Sequence, residues 1–150
     1  MRTDLTVFAK DFPEVRLVVE VKPTIAVPAE EDTAVKQLAR YMWGTNCHYG
    51  LIVTPSKTYV LRDDFTVPGP EAIHITDVLP TRILFSRLGW AYPETISEQH
   101  LETLTREWLE SLTSSYDAAL PDNPDVMKAF FPDIVGAVAE GRVVSEAAIG

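Results

Sequence analysis

Cysteine is almost missing: Cys47 is the only one in 150 residues. An internal disulfide is therefore excluded, and a reducing, cytoplasmic location is expected. No apolar run approaches the roughly 18 residues of a membrane span. Met1-Arg2-Thr3-Asp4-Leu5 has no apolar signal segment behind it, so no membrane partner is expected. Basic residues are scarce, 13 against 22 acidic ones, for a net charge of −9. That balance excludes broad nonspecific binding to nucleic acid. Repeats, low-complexity stretches and Gly/Ser linkers are absent too. His48, His74 and His100 lack metal-ligand spacing and read as structural. Cys47 and His48 are adjacent, so on a strand they point to opposite faces and make a poor nucleophile pair.

What is present fits one domain with a real core, since 46% of the residues are hydrophobic. The charge is uneven. Residues 1–90 hold ten basic and eleven acidic residues, a net of −1, whereas residues 91–150 hold three and eleven, a net of −8. A phosphate-binding surface is therefore expected only on the near-neutral front part. Residues 1–90 read as the core, and residues 91–150 as an acidic helical extension packed on the same domain.

The most informative stretch is Leu17-Val18-Val19-Glu20-Val21-Lys22. A strand alternates its side chains, so Val18, Glu20 and Lys22 share one face and Leu17, Val19 and Val21 the other. A run apolar on both faces predicts an interior strand covered on both sides. Two charges at its end must be neutralised by each other, by a metal or by water. Before it, residues 4–9 predict a strand, with a turn at Asp11-Phe12-Pro13-Glu14 making an antiparallel hairpin. Asp4 then lies roughly opposite Glu20.

After Pro23 and Pro28, a helix is predicted through residues 34–42, capped by Asp32 or Thr33, with positions 34, 35, 38, 39, 42 and 43 forming its apolar stripe. Residues 48–54 and 57–62 predict two more strands around Pro55-Ser56. Ile73-His74-Ile75 predicts a short strand, and Thr81 to Leu88 a short helix. Ser97 caps a helix whose Leu101, Leu104, Trp108, Leu109 and Leu112 share a face, read as core or as a dimer contact. Glu102, Glu107 and Glu110 read as its solvated side. A helix from Asp125 to Ala139 is expected to break at Pro132, and Arg142-Val143-Val144 predicts a last strand. The helix between two strand pairs implies a crossover and a mixed sheet of four or five strands.

Two neighbouring carboxylates repel unless a proton or cation lies between them. Oxygen ligands without Cys or His suit Mg²⁺ or Mn²⁺, which phosphate oxygens commonly complete. Lys22 beside that pair would activate water and steady transition-state charge, the parts of a phosphodiester hydrolase.

Asp4, then Val19-Glu20-Val21-Lys22, then Gln37-Leu38-Ala39-Arg40-Tyr41 resembles the PD-(D/E)XK nuclease superfamily over about residues 1–65. The likeness is nearest to the nuclease region of type I restriction-enzyme motor subunits. The resemblance implies a restriction-endonuclease-like α/β core with flanking helices, here followed by the helical C-terminal extension. It implies that Asp4, Glu20 and the Val21 carbonyl bind Mg²⁺, with Mn²⁺ as a substitute. It implies that Lys22 positions the attacking water, and that Gln37 and Tyr41, one helical turn apart, support Lys22 or the substrate. Three residues precede Asp4, so the helix that usually leads into the family's core is not expected. The implied activity is a Mg²⁺-dependent endonuclease on DNA, in a restriction, repair or mobile-element setting. A homodimer or partner subunit would meet the C-terminal helices. The competing expectation is a catalytically silent nuclease-like domain serving protein interaction or dimerisation.

Overall fold

The computed structural model describes residues 4–11, 13–25, 27–89 and 92–145. Phe12 of the expected turn and the residues before Asp4 lie outside these ranges.

The chain opens with the expected hairpin of β1 (Leu5–Phe8) and β2 (Val15–Val21), paired antiparallel with Leu5 opposite Val19 and Val7 opposite Leu17. Helix α1 (Pro28–Gly44) crosses over to β3 (Tyr49–Val53), which runs parallel to β2. Strands β4 (Lys57–Asp63) and β5 (Ile73–Pro80) continue antiparallel. Short helix α2 (Thr81–Leu84) precedes α3 (Glu98–Ser114), α4 (Tyr116–Ala119), α5 (Pro124–Phe130) and α6 (Asp133–Val138). Strand β6 (Arg142–Ser145) then returns to pair antiparallel with β1.

The mixed sheet therefore has six strands, in the order β5-β4-β3-β2-β1-β6, rather than four or five. The sixth comes from residues 91–150. Those residues, read from the sequence as an extension, supply both an edge strand and the layer that covers one face. Prediction from local pattern stops short here because β6 pairs with a strand more than 130 residues away, a contact that neither segment's periodicity encodes.

The two-faced pattern of β2 is realised. Leu17, Val19 and Val21 pack with Leu5, Leu51 and Val60 under α3 and α5. Val18 joins Ile52, Tyr59 and Leu61 under α1. Leu101, Leu104, Trp108, Leu109 and Leu112 are all buried in the first of these clusters. The stripe offered as a dimer contact is thus consumed inside one chain. Trp108 stands among Phe85 and Phe130, and its Nε1–H donates to the Ala119 carbonyl at 3.2 Å. An indole can be buried only if its polar edge finds such a partner.

Helix α1 begins earlier than its acidic residues imply. Pro28 takes the first turn, where its missing N–H costs nothing, so Asp32 and Thr33 lie inside the helix and Val27 precedes it without a side-chain cap. Ala34, Leu38, Ala39 and Met42 are buried as expected, but Trp43 is 47% exposed. Close contact of α1 with β3 needs Gly50. A Cβ there would come within 2.7 Å of Met42 Sδ and 3.1 Å of Leu38 Cδ2. The break at Pro132 is seen, separating α5 from α6.

Candidate active site at the end of the sheet

The Asp4 N–H donates to the Val19 carbonyl at 3.1 Å, extending the β1–β2 ladder past Leu5. Carrying the same register one residue further sets Asp4 opposite Glu20, as the sequence predicts. Its carboxylate is aimed by the backbone: the Val21 N–H donates to Asp4 Oδ2 at 2.7 Å. The Lys22 N–H donates to the Val53 carbonyl at 2.9 Å, so the end of β2 is held between both neighbours. Lys22 Nζ stands 3.8 Å from Glu20 Oε1. Asp4, Glu20 and Lys22 are thereby brought together at one end of the sheet.

Glu20 is the strained member. Its side chain is only 13% exposed, against 32% for Lys22. Its Oε2 is buried and has no hydrogen-bond partner. Burial, and then the charge of Asp4, push its carboxyl up to about 7, although Lys22 pulls the other way; a hydrogen bond between the Glu20 and Asp4 carboxyls, available when one is protonated, adds to the rise. A single ammonium at 3.8 Å does not offset desolvation and a neighbouring anion.

Helix α3 brings two further carboxylates to this end. The charge of Glu98 is felt by Glu20. Glu102 is half-buried, and burial followed by the Asp4 charge raises its carboxyl above the usual range. The Ser145 hydroxyl lies 3.4 Å from Glu102 Oε1. Assigning Glu102 to the solvated side of α3 is thus corrected. The available signal was spacing: Glu98 and Glu102 are one turn apart and border the buried Leu101 and Thr105.

Gln37 is exposed on α1 and lines a groove together with Lys22. Tyr41 is half-buried and packs against the core cluster beneath α1. Val21 meets Asp4 through its amide.

Whether these residues suit a divalent ion is decided by the donors. Among the described residues, no group of three or more His, Cys, Asp or Glu is disposed to hold a metal ion. Magnesium, however, keeps several waters and needs only one or two carboxylates. An orphaned buried carboxylate oxygen next to a second carboxylate is the environment that such a cation would relieve. The oxygen donors of Asp4 and Glu20 suit a hard cation better than a soft one.

Among the described residues, no helix is long and apolar enough to cross a membrane. No family model, no curated protein and no solved structure matches the chain.

Proposed function

We propose that the chain is a Mg²⁺-dependent nuclease of the PD-(D/E)XK kind, hydrolysing phosphodiester bonds in DNA, with Mn²⁺ able to substitute. A restriction, repair or mobile-element setting would suit that activity. The observation that carries the reading is Glu20: a nearly buried carboxyl, beside Asp4 and Lys22, with one oxygen left unpartnered. A proton relieves that arrangement at low pH, and a divalent cation would relieve it at neutral pH.

In this reading Asp4 and Glu20 hold the ion, which when bound supplies Lewis-acid polarisation of the scissile phosphate. The Val21 amide fixes the Asp4 carboxylate, so the ligand geometry is set before substrate arrives. Lys22 places a positive charge 3.8 Å from Glu20 Oε1, where it steadies the added negative charge of the pentavalent transition state. Water attacks phosphorus and gives up a proton to solvent, the ester P–O bond breaks, and the leaving oxygen takes up a proton. Gln37 lies across the groove from Lys22 and orders substrate or the ammonium. Tyr41 acts through α1, by anchoring it to the sheet.

The test is cleavage of supercoiled plasmid and of a labelled single-stranded oligonucleotide by the wild type in Mg²⁺, Mn²⁺ and EDTA, beside Glu20→Ala and Lys22→Ala. Cleavage is expected in either metal and not in EDTA, with each variant slower by about 10²- to 10³-fold. Wild type inert in both metals would replace the enzyme by a catalytically silent nuclease-like interaction module.

A further inference from the structure

Beside Lys22 runs a groove of about 400 Å³ between the segment after β2 and the first turns of α1. Ile25 and Ala34 give it apolar surface, while Thr24, Thr33 and Gln37 offer hydroxyl and amide groups. Small-molecule sites run roughly 300–1,000 Å³, so this one is of a size for a single nucleoside. Its composition suits a base, with an apolar surface against the ring and polar groups at the ring's edge.

The surroundings oppose a duplex. Glu30 lines the groove on the α1 side. On the other side the charges of Glu98 and Glu102 reach Glu20 and Asp4. Among the described residues, two cations of the flanking helices pair within their own helix, Lys36 with Asp32 at 2.9 Å and Arg106 with Glu110 at 4.0 Å. Duplex DNA carries one phosphate charge for about every 1.7 Å of axis, and its affinity comes from basic contacts to them. Here both flanks would repel the second strand. Glu20 itself is only 13% exposed.

We propose that the substrate is an unpaired strand, whose nucleotide next to the scissile phosphate enters the Lys22–Gln37 groove. The proposal rests on the nuclease reading above and narrows it. A flexible strand presents few phosphates at once and can turn one base out of the stack at little cost.

The test compares hydrolysis, in Mn²⁺, of a labelled single-stranded oligonucleotide, its blunt duplex, the same duplex with an unpaired overhang, and bis(p-nitrophenyl) phosphate. The single strand and the overhang are expected to be cut at least about tenfold faster than the blunt duplex. A blunt duplex cut as fast as the single strand would overturn the proposal. Hydrolysis of the small diester without hydrolysis of any oligonucleotide would overturn it also, while leaving metal-dependent phosphodiester chemistry in place. Failure on all four substrates would instead remove the nuclease reading itself. In a second arm, Glu30→Lys is expected to bring the duplex rate closer to the single-strand rate. An unchanged ratio counts against repulsion by the flanks.

Discussion

The Val21 amide donates to Asp4 Oδ2 at 2.7 Å, so the carboxylate on β1 is held by the backbone of β2 at the point where Glu20 emerges. Asp4 thus has two effects on the fold of opposite sign. Its hydrogen bond closes the end of the hairpin, and its charge burdens Glu20. The two effects separate by substitution. Asp4→Asn keeps an acceptor for the amide and removes the charge, so it is expected to stabilise the metal-free protein at pH 8. Asp4→Ala leaves the Val21 N–H without that acceptor and is expected to be about 1–3 kcal/mol less stable than Asp4→Asn. Urea denaturation in EDTA measures both, and equal midpoints for the two variants would contradict the assignment.

Glu20 makes stability depend on pH in an unusual direction. Its carboxyl is raised from 4.5 to about 7 in the folded state. The folded protein therefore binds this proton more tightly than the unfolded chain. The contribution is full below about 4.5, the unfolded value, and is lost as pH rises through about 7. The span corresponds to about 3 kcal/mol. In EDTA, the melting temperature is expected to fall from pH 5 to pH 8, and Glu20→Gln to remove that part of the slope. Mg²⁺ is expected to restore the wild type at pH 8 and to leave Glu20→Gln unmoved. A variant that melts lower with the slope intact would show that the charge is satisfied in some other way.

Local pattern carried the central part of the fold, because β2, its hairpin and α1 are built from contacts close in sequence. The two-faced run from Leu17 to Lys22 also located two groups of the candidate site, Glu20 and Lys22, since a period of two fixes which side chains emerge together, and the hairpin added Asp4. What stayed hidden depends on packing between distant segments. Arg142-Val143-Val144 reads as a strand from its sequence, but its place at the edge of the sheet, with Val143 opposite Val7, does not. Trp43 matches the α1 stripe by spacing, yet it stands 47% exposed in the fold. Glu102 sits beside a buried stripe, and only the seating of α3 over the sheet decides that it feels Asp4 rather than solvent.

Gly50 marks the closest approach of α1 to the sheet. Because the nearest atoms to an added Cβ are Met42 Sδ at 2.7 Å and Leu38 Cδ2 at 3.1 Å, the obstruction is side chain, not backbone. Gly50→Ala is expected to cost about 1–3 kcal/mol by overpacking, and Gly50→Val more. Shortening the obstacle should return part of this. The double variant Gly50→Ala with Met42→Ala is expected to lose less stability than the two single losses combined, a coupling that a thermodynamic cycle reads directly.

The last prediction concerns Arg62, which fastens the far side of the sheet to the C-terminal helices. Its Nε donates to Asp133 Oδ2 at 2.9 Å, and its Nη1 to Thr76 Oγ1 at 2.6 Å and to Asp77 Oδ2 at 2.9 Å. Its Nη2 reaches the Ala129 carbonyl at the end of α5. The side chain is only 17% exposed, so removing it leaves Asp77 and a helix-end carbonyl in partial burial without their donor. Arg62→Met is expected to cost about 3 kcal/mol, the range for breaking one side of a buried pair. Asp133→Asn should cost less, because that carboxylate is 40% exposed and water replaces part of what is lost. The guanidinium also holds Asp133 below the usual carboxylate range. That contribution is present above the ordinary value near 3.8 and disappears as pH falls through the lowered one. An acid titration of unfolding should therefore show a shallower low-pH limb in Arg62→Met than in the wild type. Identical limbs would mean that Asp133 is stabilised by its own helix end, through the Ile134 N–H at 2.9 Å, and not by the arginine.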